Sequence, residues 1–314
     1  MSIVQDNREH LKNAGYVSIS TVRNEAFRLA AFIDYHERLG VEHFVFIDND
    51  STDNIAEVLG GRANVTIFRS AASYKDTRYG ICWSNYILSR YCSGKWILSL
   101  DPDEYLVYPG SDQLKLPGLT AAMESRQCRS LCVTMVDMYG KVGIAQNAVA
   151  EGQSALEVCN YFDGQGYEET RSEMYDAVII RGGPRARAFF GDVAASPTLN
   201  KVPLVLWRRH YAYLLSAHFI WPYSLNTDSL RLFGGLRGAL LHFKFVSSFA
   251  SKVKEETKRQ QHAVEYANYV RQDVDNLVFF SELSKRYEDW QSLADNGLIR
   301  QGSLTLGAEA GGTA

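Results

Sequence analysis

Between Tyr16 and Leu100 the sequence alternates short apolar runs with helical periods, and that alternation fixes most of the topology open to the chain. Tyr16-Val17-Ser18-Ile19-Ser20-Thr21 reads as a buried strand. Asn24 fits an N-cap before Glu25–Ile33, apolar positions recur at Tyr35 and Leu39, and Gly40 supplies a C-terminal stop. His43–Ile47 is a second strand, Asp48–Asp53 a polar turn leading to a short helix through Leu59, and Val65–Phe68 a third strand. A longer helix is expected over Gly80–Tyr91, followed by the strand Trp96–Leu100. Strands and helices in this order imply right-handed crossovers and a parallel sheet. Ligands of such sheets bind beyond the carboxyl ends of the strands. Three polar clusters fall at those ends: Arg23-Asn24-Glu25, Asp48–Asp53 and Asp101-Pro102-Asp103-Glu104. They are distant in sequence, yet the topology brings them to one rim.

The last cluster carries the most chemistry. Three carboxylates lie within four residues just where a buried strand emerges. Pro102 lacks an N–H and suits a chain leaving the ladder. In an extended segment residues i and i+2 face the same side, so Asp101 and Asp103 are expected to converge on one hard divalent cation. Such an ion keeps positions free for substrate phosphates. A single Asp at a strand end is often a turn former or helix cap, but capping leaves the second and third carboxylates unexplained.

Composition sets the bounds. The chain has 314 residues, 46% hydrophobic and 22% charged, the balance of a globular protein large enough for one sizeable α/β domain. A net charge of −3 gives no electrostatic reason to expect nucleic-acid binding. Met1–Gly15 is polar, without the apolar core of a secretory signal, and no apolar run is long enough to span a bilayer. Five cysteines, at 82, 92, 128, 132 and 159, fit free thiols in a reducing cytosol. Cys128 and Cys132 have the spacing of half a zinc site, but no second pair accompanies them, so buried thiols are the better reading.

After Gly110 the pattern loosens. Strands are expected at Ser130–Val136, Ala177–Ile180, Tyr211–Leu215 and Gly238–Phe245, with a mobile loop within 140–175. Phe249–Tyr269 and Leu277–Tyr287 read as helices, and Gly307–Ala314 as a disordered tail. The organisation expected is an N-terminal extension (1–15), one domain (16–250, divided near 110), a helical extension (251–306) and the tail.

Strand, Arg23-Asn24-Glu25, helix, then Ile47–Asp53, then Asp101–Glu104 resembles the glycosyltransferases of the GT-A fold. The likeness is to the family-2-like bacterial group, with an echo of the related family 92. It covers about 16–110; Arg181–Arg185, Lys201–Leu204 through His218, and Leu241–Lys244 resemble the same group through less specific motifs. The resemblance implies a Rossmann-like nucleotide-sugar-binding fold, with a mostly parallel central sheet flanked by helices and helical C-terminal additions. It further implies a donor such as a UDP-sugar, an Asp-x-Asp pair holding Mn²⁺ or Mg²⁺ against the diphosphate, and a glycan or lipid-linked acceptor. A divalent cation stabilises the charge that develops on a diphosphate leaving group. A cytoplasmic enzyme of polysaccharide biosynthesis is expected, with peripheral contact at the inner membrane open because acceptors of such enzymes can be lipid-linked.

The resemblance places Asp101 and Asp103 at the metal, and Glu104 beside them or on a donor hydroxyl. Thr21, Arg23, Asn24, Glu25, Asp48 and Asn49 fall in the donor-binding half. Asn49 stands where the family often has a second Asp, and an amide can also bond a base edge. Asp48, Ser51 and Asp53 equally fit a turn that caps the next helix. Arg23 suits a phosphate or a rim carboxylate, and Glu25 the positive start of a helix. Arg181, Arg185, Arg187 and Lys201 form a basic group suited to a diphosphate or an acidic acceptor, or a solvated loop. His218 and His242 follow apolar runs, and either can complete the metal site or be a hydrogen-bonded core residue. An inverting transfer needs a carboxylate base; Asp192 is the first choice and Asp137 the second, with no motif to fix either. A nucleotidyltransferase would favour a Gly-rich basic loop after the first strand, where this chain has Thr21-Val22-Arg23-Asn24-Glu25. A non-catalytic nucleotide-sugar-binding protein is the remaining alternative.

Overall fold

A computed structural model describes residues 1–249, 251–253, 269 and 273–306. In chain order the strands are β1 (Ser2–Gln5), β2 (Tyr16–Val22), β3 (His43–Asp48), β4 (Val65–Arg69), β5 (Trp96–Ser99), β6 (Glu104–Val107) and β7 (Ser130–Asp137). The later half adds β8 (Tyr161–Asp163), β9 (Tyr167–Ser172), β10 (Ala177–Gly182), β11 (Asn200–Leu206), β12 (Ala212–Tyr213), β13 (Ile220–Trp221), β14 (Gly238–His242) and β15 (Ser284–Arg286). The helices that flank the sheet are α1 (Arg8–Asn13), α2 (Ala26–Leu39), α3 (Ile55–Leu59), α4 (Ile81–Tyr91) and α5 (Leu116–Glu124).

Nine strands form one sheet in the order β1-β4-β3-β2-β5-β11-β7-β14-β6. β2, β3, β4, β5, β7 and β14 run one way, and β1, β11 and β6 run against them. The sheet is therefore mostly parallel, as expected of an α/β chain. Strand periodicity decides which helix covers which face. Phe44 and Phe46 of β3 pack with Leu29, Phe32 and Ile33 of α2 and with Ile55 and Leu59 of α3. The intervening Val45 and Ile47 pack with Ile81, Ile87 and Leu88 of α4. Both faces are buried, which is why these strands read as near-continuous apolar runs.

The reversed strands matter as much as the parallel ones. The carboxyl ends of β5, β7 and β14 share a rim with the amino ends of β11 and β6. His242, at the end of β14, is in register with Asp137 on one side and Glu104 on the other. Pro203 lies where the β11–β7 register slips between Lys201 and Leu204, as a residue without an N–H must in an interior strand.

Several expectations are corrected. Residues 1–15 hold β1, which pairs along the β4 edge, and α1. The 140–175 stretch is built around short elements, with Tyr139 bridged to Tyr161 and β9 paired to β10. No helix covers 277–287: Ser281 and Ser284 close a turn, and β15 pairs with β8. The expected strands at 211–215 and 238–245 shorten to β12 and β14. The helix expected across 249–269 and the tail 307–314 fall largely or wholly outside the described residues. All five cysteines are free thiols, and only Cys82 is exposed.

Candidate functional site

The Asp101–Glu104 segment is a turn, not an extended strand end. Glu104 N–H donates to the Asp101 carbonyl at 3.0 Å, closing a four-residue turn with Pro102 at its second position. That geometry removes the i, i+2 alignment, and the two aspartates point to different partners. The Asp101 carboxylate meets Lys201 Nζ at 2.9 Å, and Glu104 bonds the same ammonium and accepts the Asp101 N–H at 3.0 Å. Asp103 faces His242 Nε2 at 3.6 Å and the Arg28 guanidinium at 3.7 Å. The expected convergence of Asp101 and Asp103 is thus replaced by two separate pairings across one turn.

Lys201 and Glu104 are buried, while the Asp101 carboxylate is 45% exposed. Burial pushes Glu104 up to about 7, against the pull of Lys201 and with Asp101 adding to the rise. Burial would lower Lys201, but Asp101 and Glu104 more than offset it and hold the ammonium charged. Burial would also raise Asp103; His242 and Arg28 outweigh it and keep that carboxyl below the usual range.

Beside the turn runs a buried polar chain. Arg185 donates to both Asp137 oxygens, at 2.9 and 2.5 Å, and His242 Nδ1 lies 2.6 Å from the same carboxylate. Gly183 and Pro184 start the short helical turn that carries Arg185 inward, and Gly182 can only be glycine there, since a Cβ would stand 2.0 Å from the Gly166 carbonyl oxygen. Asp137 is fully buried; burial would raise it, but Arg185 and His242 hold it below the ordinary carboxylate range. A carboxylate so bound is a poor proton acceptor, which speaks against Asp137 as the base. Its place is to orient Arg185 and His242.

On the β2–β3 side the polar residues mostly hold turns. Asp48 accepts from Ser51 N at 2.9 Å and Arg69 Nε at 2.7 Å. Asn49 donates to the carbonyls of Ser70 and Ala72. Arg23 donates to the carbonyls of Asn49 and Asp50. Asn24 has a left-handed φ of 52° and accepts from Thr52 N, so it does not cap α2. Asp53 does so from across the rim, accepting from Ala26 N at 2.8 Å. Glu25 is paired with Arg28 at 3.1 Å and with Lys252.

Two remaining candidates lie elsewhere. His218 Nδ1 is 2.7 Å from the Asn200 carbonyl, so the ring is fixed to the start of β11. Asp192 is exposed and caps a 3₁₀ turn by accepting from Ala194 N at 2.9 Å, the role of a turn residue. Thr21 fares differently: with Tyr74, Tyr79, Ser99 and Asp101 it lines a narrow cleft at the ends of β2 and β5. Arg28, Tyr74 and Tyr79 escaped sequence reasoning. Arg28 looked like one more charge on a helix, although it is 4% exposed. Arg78, Tyr79 and Gly80 are consecutive left-handed residues, φ 55°, 58° and 79°, a conformation costly for the first two.

Among the described residues no three His, Cys, Asp or Glu side chains form a ready-made metal cage. Two protein ligands suffice, however, for an ion that completes its shell with water and substrate phosphates. Asp103 and His242 fit that role. A cation bound between His242 Nε2 and Asp103 would take the place of their direct 3.6 Å contact, with Nδ1 held on Asp137. Fixing one ring nitrogen on a carboxylate is also how metal-binding histidines are commonly oriented.

No family model matches the chain. A rice protein (Oryza sativa subsp. japonica), named a glycosyltransferase family 92 protein, is 30% identical over 118 residues, covering 35% of this chain and 19% of that protein. The match thus spans less than a fifth of the relative's length. Among solved structures, a mannosyltransferase from Pyrobaculum calidifontis in complex with GDP-Man and Mn²⁺ has 16% identity, covers 43% of this chain and 38% of its own, and has a TM-score of 0.29. HddC from Yersinia pseudotuberculosis has 10% identity, coverage of 77% and 99%, and a TM-score of 0.32. A nucleotidyl transferase from Methanothermobacter thermautotroptrophicus has 9% identity, coverage of 79% and 99%, and a TM-score of 0.28. Structural likenesses of this size carry no inference about this chain. No helix among the described residues is long and apolar enough to cross a membrane.

Proposed function

We propose that this chain is a metal-dependent glycosyltransferase of the GT-A type, moving a sugar from a nucleotide-diphosphate sugar to a glycan or lipid-linked acceptor. One observation carries the reading: Asp103 and His242 Nε2 face each other at 3.6 Å on the carboxyl rim of the sheet, with the other ring nitrogen fixed by Asp137. The 30% likeness to a glycosyltransferase family 92 protein supports the class. In this reading Asp103 and His242 hold Mn²⁺ or Mg²⁺, which supplies Lewis-acid stabilisation of a diphosphate leaving group. The chain's own groups do the rest. Asp137 and Arg185 orient His242, and Arg28 stands behind Asp103. Lys201 fixes the turn through Glu104 and holds the exposed Asp101 carboxylate toward the cleft. Thr21, Tyr74 and Tyr79 form the wall against which the nucleotide lies.

The test is a panel of nucleotide-sugars screened for thermal stabilisation with and without Mn²⁺, since a ligand that binds only the native state raises its apparent stability. The expected result is metal-dependent stabilisation by at least one donor, lost in Asp103→Ala and in His242→Ala. A donor that binds both variants by calorimetry as tightly as wild type, with or without metal, overturns the reading.

A further inference from the structure

The chain's net charge of −3 is not spread evenly. Basic side chains gather at the amino ends of β2, β5 and β7, the pole opposite the candidate site. The Lys95 ammonium donates to the Lys12 carbonyl at 2.9 Å, which ties the start of β5 to the end of α1. Trp207 N donates to the Lys95 carbonyl at 2.9 Å, so Arg208 and Arg209 leave β11 beside it. On the other side of β11, Leu206 N donates to the Arg129 carbonyl at 2.8 Å. Arg90, in the last turn of α4, bonds the Tyr91 hydroxyl at 3.1 Å, and Arg8 of α1 reaches the same hydroxyl at 3.4 Å. Lys12, Arg90, Arg129, Arg208 and Arg209 are exposed, and Lys95 is half-buried.

These six basic groups share one face, and none has an ion-pair partner among the described residues. The carboxylates around them are Glu9 on α1, Glu42 and Glu124. Glu42 accepts from Gly15 N, and Glu124 accepts from Trp96 Nε1 at 2.7 Å. Asp228 accepts from Arg129 N but is paired with Arg231. The strip ends in an aromatic step. Arg209 and His210 lead into β12, whose Ala212 pairs with Trp221 of β13. Trp221 is 50% exposed, the one exposed tryptophan of five, and its ring meets Tyr223 edge-to-face at 5.1 Å.

Cations without ion-pair partners are drawn to a dense anionic surface, each adding to the attraction within a Debye length. An exposed indole beside them is the side chain that settles at the boundary between headgroups and acyl chains. Nucleic acid would also attract the cations. However, α1 and α4 end at this face rather than lie along it, so no helix among the described residues is set to enter a groove there.

We propose that this face docks on an anionic lipid bilayer, with Lys12, Lys95, Arg208 and Arg209 against the headgroups and Trp221 in the interface. Docked so, the carboxyl rim points away from the bilayer. The contact needs neither metal nor nucleotide, so it stands apart from the donor reading.

The experiment is sedimentation of the full chain with vesicles, in EDTA and without nucleotide. The vesicles are phosphatidylcholine alone and phosphatidylcholine with one third phosphatidylglycerol; a short DNA duplex is titrated in parallel. The chain is expected to sediment with the anionic vesicles only. It should be released in about 1 M NaCl, where the Debye length falls to about 3 Å. Replacing both arginines, Arg208→Ala with Arg209→Ala, should weaken partitioning about thirtyfold. The melting temperature should not change, because both side chains are exposed. Brominated lipids should quench part of the tryptophan fluorescence, and Trp221→Phe should remove that quenching. Asp103→Ala should bind as wild type does, which separates this face from the rim. No binding to anionic vesicles, equal binding to neutral ones, capture by the DNA duplex alone, unchanged partitioning in the double variant, quenching retained in Trp221→Phe, or loss of binding in Asp103→Ala would overturn the proposal.

Discussion

The two halves of the rim use the same residue types for opposite purposes. On the β2–β3 side carboxylates mainly hold backbone: Asp48 accepts from Ser51 N beside its pair with Arg69, and Asp53 from Ala26 N. On the β5–β6–β7–β14 side they meet buried cations and a histidine: Glu104 with Lys201, Asp137 with Arg185 and His242. The first arrangement shapes loops at modest energy. The second keeps charge in a dry place, where each group depends on the others. The β2–β3 half is therefore mainly scaffold, and the half that holds Asp101–Glu104 brings the groups that lie in buried ion pairs.

The largest expected effect tests the buried half. Removing one partner of a buried ion pair leaves an uncompensated charge and typically costs about 3–5 kcal/mol. Asp137→Ala removes the carboxylate that Arg185 and His242 both bond, so chemical denaturation should show a loss in that range. A loss below about 1 kcal/mol would mean that water already reaches the Asp137 site, and the contrast between the halves would fail.

Mild acid tests the buried core beneath the rim. Burial lowers His36 from 6.5 to about 4, partly opposed by its bond to the Phe32 carbonyl. Burial, with His10 adding to it, lowers His43 from 6.5 to about 4. Between these values the unfolded chain binds more protons than the folded one. The contribution of these two histidines is therefore full above pH 6.5, falls as the pH drops toward 4, and is constant below. A shift of that size in one buried histidine corresponds to about 3 kcal/mol. Asp103 and Asp137 are held low and stay ionised through this window, whereas Glu104, pushed up to about 7, takes up a proton at its upper end and acts in the opposite direction. Unfolding free energies from urea titrations at pH 7.5 and 4.5 should show that His36→Leu removes about 2–3 kcal/mol of acid sensitivity relative to wild type. An unchanged slope in that variant would place the acid sensitivity elsewhere.

How much of this was legible in the sequence follows the same division. β2 through β5 and their helices were readable because both faces are buried and each turn is local. β1 was not: it is four residues long, half exposed and paired on one side only. The 277–287 stretch carries helix-forming residues, but the Ser281–Ser284 turn and pairing with β8 override them. In the site, residue types were legible and partners were not. Asp137 and His242 were both singled out, yet they are 105 positions apart, and only the parallel register of β7 and β14 brings them together. Lys201 appeared as part of a basic loop. Its ion pair with Glu104 depends on β11 running backwards, which no local pattern announces. Asp101 and Asp103 were placed on the right rim but in the wrong conformation, because Pro102 fits a tight turn as well as an extended exit.

The smallest effects sharpen the scaffold side of the comparison. Asp53 and Asp192 are both exposed aspartates accepting from a backbone N–H, at 2.8 and 2.9 Å. Asp53 caps α2, fourteen residues long and packed across the core, and its loop is 27 positions from the helix start. Asp192 caps a three-residue 3₁₀ turn on the surface. Cap removal costs about 1 kcal/mol where a helix depends on it, so Asp53→Ala should lose that much. Asp192→Ala should stay within about 0.5 kcal/mol of wild type, as surface substitutions usually do. Equal losses in the two variants would show that the cross-rim reach of Asp53 adds nothing. In that case the knitting of the first two polar turns is a consequence of the fold and not one of its supports.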